Sequence, residues 1–218
     1  MILALPVLLQ LASTEAPSVA PETLAAFAQH ESGLDPNAIH DNTTGLSFYL
    51  QSAEAATALA ASLLAKRHSL DLGLMQINCA NLVNAALTIR SAFDPGESLR
   101  AGAQILVAAY QQCRHGGQVE PQAALRCAAS VYNTGTEQAG ILNGYQAGVW
   151  KAAAQIVPAI QVAGLLPPAT AMTGVGDTVA APMPPAPAMM EDLLHGGPPV
   201  PLSSAGLEDA LPHHGEPK

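Results

Sequence analysis

The placement of aromatic residues divides this chain before any element is assigned. All eight lie between Phe27 and Trp150, and none follows Gly164. The stretch after Gly164 instead carries eleven of the 18 prolines, including Pro167-Pro168, Pro184-Pro185 and Pro198-Pro199. Such a segment cannot bury enough apolar surface to offset the entropy of ordering it. A packed core is therefore confined to the first three quarters, and residues 164–218 are predicted to form a Pro/Ala-rich disordered tail.

Within the core region, apolar residues recur at helical spacing between recognisable start and stop signals. Pro21 and Glu22 suit the first turn of a helix that runs to Glu31. Ser52 is placed to cap a helix that ends in Lys66-Arg67-His68. Asp94-Pro95-Gly96-Glu97 opens another, with Leu99, Gly102, Ala103, Leu106 and Tyr110 on one face and Gly116-Gly117 as its stop. Pro121 begins the next, whose stripe Leu125, Ala128 and Tyr132 ends at Asn133-Thr134-Gly135. A last helix is predicted over residues 138–157, with Ile141, Tyr145, Val149 and Ile156 inward. Residues 35–45, rich in Asp, Asn, Thr and Gly, read as a surface connection. Leu72, Leu74, Met75 and Ile77 fit a short extended or irregular segment. The fold class is mainly α, with one domain over residues 18–163.

Residues 1–17 form an apolar N-terminal segment without a basic start, interrupted by Pro6 and Gln10. Two roles are open for it: a short signal sequence cleaved near Ala12, Ala16 or Ala20, or a first helix packed on the domain. No stretch has the roughly 18 apolar residues of a membrane-spanning helix. The net charge is −9 with only eight Lys and Arg and no basic run, which excludes nucleic acid as an expected partner. The spacing of Cys79, Cys113 and Cys127 matches no zinc motif, so neither a metal nor a cofactor is expected. One disulfide and one free thiol are allowed, and the pairing is open, although a simple helical hairpin would not align Cys113 with Cys127.

The candidate chemistry centres on Glu31. Leu24, Phe27, Ala28 and Glu31 share one helix face, so the carboxylate ends an apolar stripe. Gly33 supplies a left-handed cap and Pro36 follows, placing Glu31 near the negative end of the helix dipole. Desolvation and the dipole both favour the neutral acid, the form that can protonate the leaving oxygen of a glycosidic bond. The competing reading is a solvated glutamate at a helix end.

Glu31-Ser32-Gly33 with Pro36, then Gly73-Leu74-Met75-Gln76-Ile77-Asn78, then Val131-Tyr132-Asn133-Thr134-Gly135 stand in a fixed order. In this order the chain resembles the soluble lytic transglycosylase (SLT) domain, and within it the VirB1-like branch associated with type IV secretion, over residues 21–161. The resemblance implies a lysozyme-like fold that cleaves the β-1,4 bond between N-acetylmuramic acid and N-acetylglucosamine in peptidoglycan with formation of a 1,6-anhydro ring. It implies Glu31 as the single acid and base. It places Met75, Gln76 and Asn78 along the sugar cleft, and Tyr132, with Asn133 beside it, near the acid. Peptidoglycan glycan strands and a periplasmic location follow from the same resemblance; the tail lies outside it and is a candidate contact for secretion components.

Two departures stand out: an insertion between Glu31 and Gly73, and His40 at a position where related domains often carry serine. His40 receives no role. The alternatives are a lysozyme-type hydrolase using Asp35, Asp41 or Asp71 as a second carboxylate, and a non-catalytic assembly factor whose tail binds partners, with residues 189–194 as a docking segment.

Overall fold

A computed structural model describes residues 2–162. The Pro-rich tail and residues 189–194 lie outside them. Among the described residues the chain forms seven helices and one four-stranded antiparallel sheet. In chain order these are α1 (Leu5–Glu15), α2 (Pro21–Ser32), β1 (Ala38–Asp41), β2 (Leu46–Tyr49), α3 (Ala53–Ala65), β3 (Leu70–Leu72), β4 (Ile77–Asn78), α4 (Pro95–Cys113), α5 (Pro121–Thr134), α6 (Ala139–Leu142) and α7 (Tyr145–Val162).

Helix boundaries follow local chemistry. The Ser52 hydroxyl accepts the Ala55 N–H at 3.2 Å, and an Asp94 carboxylate oxygen accepts the Glu97 N–H at 3.0 Å. Gly33 ends α2 at φ 63°, its N–H returned to the Ala28 and Gln29 carbonyls. The buried face of α4 carries Leu99, Gly102, Ala103, Leu106 and Tyr110, as the sequence spacing predicts. Helix α2 lies against α7, α1 and α4, and α4 against α5. In α1, Leu8 and Ala12 are fully buried, so this segment packs in the same core as Leu24, Phe27 and Leu99.

Three features differ from the sequence reading. Residues 35–45 are not a surface connection throughout: Ala38 and Ile39 are buried in β1, and only the turn beyond Asp41 is exposed. Residues 138–157 do not form one helix. Gly144, at φ 84°, separates α6 from α7, and Ile141 points outward. The disulfide is Cys113–Cys127, with a Cα–Cα distance of 5.8 Å, and Cys79 is a half-buried thiol. The two cysteines align because the chain continues past Cys113 through a 3-10 turn at His115–Gly117 before α5 begins. The six steps from Pro121 to Cys127 rise about 9 Å along α5 and bring the chain back level with Cys113.

The sheet order is β2-β1-β3-β4. Ile39, Leu70 and Leu72 turn one face of it into the core, and the other face carries polar residues.

Candidate functional site

The polar sheet face, the end of α2 and the segment from α5 to the start of α7 enclose a cleft. Its long arm, about 880 Å³, runs between β3–β4 and the α4–α5 pair. A short arm of about 300 Å³ lies over β1 and β2. Glu31, Asn42, Asp71, Gln76 and Asn133 line both arms, so Glu31 stands where they meet.

Several bonds fix Glu31 there. The next residue, Ser32, donates its hydroxyl to the Leu74 carbonyl at 2.8 Å, tying the end of α2 to the β3–β4 turn. The Tyr145 hydroxyl donates to the Glu31 carboxyl. Burial pushes the Glu31 carboxyl up to about 8; the Tyr145 bond works against this shift, and the negative charge of Asp71 adds to it. Near neutral pH Glu31 is thus largely a neutral acid facing a cleft, able to donate a proton.

Tyr145 is itself wedged in place. Its ring meets His30 edge-on, with centroids 4.8 Å apart. The His30 ring in turn lies so close to Gly148 that a Cβ at that position would stand 2.3 Å from its Cε1. Sequence reasoning placed Tyr145 on the inward face of a continuous helix and missed this contact. The Asn143-Gly144 pair is the signal that could have revealed it, because such a pair breaks a helix and frees the next residue to begin another.

The predicted cleft residues divide. Gln76 lines both arms; its side-chain nitrogen donates to the Gly73 carbonyl at 2.7 Å and the Ala38 carbonyl at 3.3 Å, while its backbone holds φ 46°. Asn78 lines the long arm and donates to Asp71 at 2.7 Å. Asn133 is exposed at the junction, and its side-chain oxygen accepts from Asn143 at 2.9 Å. Tyr132 lines the long arm, but its hydroxyl goes to the Met75 carbonyl at 2.8 Å rather than to Glu31, and its ring stands edge-on to Phe27. Met75 is a correction. Its side chain is fully buried over Gly102 and does not face the cleft, because the tight turn at Gly73 directs the thioether toward α4.

Of the three aspartates considered as a second carboxylate, only Asp71 reaches the cleft, held there by the amides of Asn42 at 2.9 Å and Asn78 at 2.7 Å. Asp35 is buried and accepts the Asn37 N–H. Asp41 is a structural anchor. Burial would raise its carboxyl, but bonds from His68, Thr44 and Thr43 outweigh that and bring it down to about 2.

Comparison with known proteins gives a consistent picture. The transglycosylase SLT domain family matches residues 9–150. The protein virB1 of Agrobacterium fabrum is 48% identical over 145 residues, covering 66% of this chain and 58% of that protein. The protein virB1 of Rhizobium radiobacter is 48% identical over 147 residues, 66% of this chain and 60% of that protein. The type IV secretion system protein virB1 of Brucella abortus is 39% identical over 132 residues, 61% of this chain and 56% of that protein. The chain therefore spans well under two thirds of the length of the relatives it matches. No solved structure matches it significantly.

Proposed function

We propose, on the premise that this chain belongs to the transglycosylase SLT domain family, that it cleaves the glycan strands of peptidoglycan as a lytic transglycosylase. The observation that carries the reading is Glu31, a carboxyl raised to about 8 at the junction of a two-armed cleft. Glu31 protonates the oxygen between N-acetylmuramic acid and N-acetylglucosamine, and the bond from muramic C1 to that oxygen breaks. The muramic C6 hydroxyl attacks C1 and gives its proton to the Glu31 carboxylate, which closes the 1,6-anhydro ring and restores the acid. Because the nucleophile belongs to the sugar, no second carboxylate is needed. Tyr145 holds the carboxyl through both proton transfers.

Similarity to the virB1 proteins, of which the Brucella abortus relative is a type IV secretion system protein, supports a role beside such a system, opening the wall locally for its assembly. Periplasmic location follows from the substrate, and a disulfide within the fold suits an oxidising compartment. The tail is assigned to contacts with secretion components. A hydrolytic reading keeps one specific observation in its favour, the cleft position of Asp71.

Mass analysis of muropeptides released from purified peptidoglycan decides between these readings. Anhydro-muramic ends, absent with Glu31→Gln, are the expected result. Reducing ends lost in Asp71→Asn would establish hydrolysis, and no release by folded protein would leave the assembly role.

A further inference from the structure

Away from the cleft, three segments bring four side chains of metal-ligating type together. Helix α4 ends at Cys113, and the 3-10 turn that follows carries His115. Cys127 lies midway along α5. Glu137 stands between α5 and α6, where the chain folds back on α5: the Ser130 hydroxyl donates to the Thr136 carbonyl at 2.8 Å and accepts the Gly140 N–H at 2.8 Å. Cys113 Sγ, Cys127 Sγ and a Glu137 carboxylate oxygen all lie within 4.8 Å of one another. His115 Nε2 stands 3.3 Å from Glu137 Oε1. None of these residues lines either arm of the cleft.

As a partly exposed ion pair, His115–Glu137 would add little to stability. As half of a ligand set, its geometry has a use. A tetrahedral zinc ion with bonds of about 2.0–2.1 Å to nitrogen and oxygen has an N···O edge of about 3.3 Å, and with bonds of about 2.3 Å to sulfur it holds two thiolates about 3.8 Å apart. The first edge is already present. The second requires the disulfide to open, and Cα atoms 5.8 Å apart allow the sulfurs to part that far by rotation about each Cα–Cβ bond. Thiolates with an imidazole are donors that suit zinc rather than magnesium or calcium. The cysteine spacing matches no zinc motif because the ligands come from three separate segments.

We propose that the Cys113–Cys127 bridge is exchangeable: once it is reduced, Cys113, Cys127, His115 and Glu137 bind one zinc ion, which replaces the disulfide in holding α4 to α5. In the exchange a dithiol reductant gives two electrons and two protons to the bridge and itself becomes a disulfide; Zn²⁺ then displaces both thiol protons to solvent. An oxidising disulfide reverses the exchange, taking two electrons from the thiolates and releasing Zn²⁺. The link between the helices is thus kept by the metal under reducing conditions and by the covalent bond under oxidising ones. Through Glu137 the metal also ties down the α5–α6 connection, which leads on to Tyr145.

The test uses the full chain, reduced with a phosphine and freed of metal by a chelator that is then removed. It is titrated with Co²⁺, and Zn²⁺ affinity follows from competition with a chromophoric chelator. The expected result is a single Co²⁺ per chain, with a thiolate-to-cobalt charge-transfer band and the visible bands of a tetrahedral ion, displaced by Zn²⁺. The oxidised chain should show neither band. Cys79→Ser should bind as the unmodified chain does. His115→Ala and Glu137→Ala should each weaken Zn²⁺ binding at least about tenfold, no less than the loss of an outer-shell partner costs. Zn²⁺ should also raise the Tm of the reduced chain and leave that of the oxidised chain unchanged. No binding by the reduced chain, or binding that survives both alanine substitutions, needs Cys79 or lacks the tetrahedral spectrum, would overturn the site. If the reduced, metal-free chain is unfolded, Zn²⁺ must restore its near-ultraviolet circular dichroism, and failure to do so overturns the proposal as well.

Discussion

Glu31 carries its chemistry because three neighbours restrict it: Tyr145 by a hydrogen bond, His30 by backing the tyrosine ring, and Gly148 by leaving room for His30. Activity that needs the protonated acid should fall as pH rises through about 8, and a pH–rate profile reads that limb directly. The same shift acts on stability. The folded-state pKa lies above the ordinary 4.5, so the native state keeps a proton that the unfolded chain gives up between 4.5 and about 8. Stability therefore falls as pH rises across that window. Glu31→Gln should relieve the penalty, stabilising the protein by about 1–2 kcal/mol at pH 8 and hardly at all near pH 4, once the full shift is discounted for the partial exposure of Glu31. Melting curves at the two pH values check this. Gly148→Ala tests the buttress: a Cβ 2.3 Å from His30 must displace that ring and with it Tyr145. A roughly tenfold drop in kcat is expected, of the size of one lost positioning contact. If the effect passes through the tyrosine hydroxyl, the drop should largely vanish when the substitution is made in a Tyr145→Phe background.

At the level of elements, the turn between β3 and β4 is clamped by α4 and the 3-10 turn Ser91–Phe93 that precedes it, and this clamp sets the cleft wall. A Cβ on Gly73 would stand 2.0 Å from the Ala92 carbonyl oxygen; Ser98, fully buried, holds the Met75 N–H at 3.1 Å; and Gly102 accepts the Met75 side chain. Ser98→Ala leaves that buried N–H without its partner and should cost about 1–3 kcal/mol in a denaturant titration. Product release should weaken as well, because Gln76 and Asn78 ride on the same turn. The motif Gly73-Leu74-Met75-Gln76 was legible as a cleft segment, and Gln76 and Asn78 do line the cleft. The inward turn of Met75 was not, because it depends on a glycine in α4 twenty-seven residues away in the sequence. Helices α4 and α5 were legible from long stripes and strong caps. Strand β1 was hidden, since only Ala38 and Ile39 are apolar between turn-forming neighbours and four residues cannot establish a period. Tyr145 was misplaced for a related reason: the stripe of α7 was extended backward through Gly144, and one backbone dihedral at φ 84° moved the residue from a helix interior to a helix start beside Glu31.

Across the whole molecule, the cleft is only as firm as the packing of α5 on α4. Both helices line the long arm, and α5 carries Tyr132 and Asn133 at its end. The Cys113–Cys127 bond joins the C-terminal end of α4 to the middle of α5, around a loop with a sequence separation of 14. In the chain-entropy account, a loop of that length contributes about 3 kcal/mol, so reduction should lower Tm by roughly 6–12 °C for a domain of this size. Cys79 stands apart from the bridge, so Cys79→Ser should melt as the unmodified protein does and keep its sensitivity to dithiothreitol. A Cys113→Ser, Cys127→Ser double variant should melt where the reduced protein melts and ignore dithiothreitol. If reduction left Tm unchanged, the α4–α5 contact would have to hold by side-chain packing alone. The fully buried Leu106, Ala124 and Ala128 would then be the residues to truncate or enlarge next. If Tm falls and cleavage falls with it below the new melting point, the bridge acts on the cleft as well as on the fold. Its loss midway along α5 would then be felt at Tyr132, Asn133 and the long arm they line.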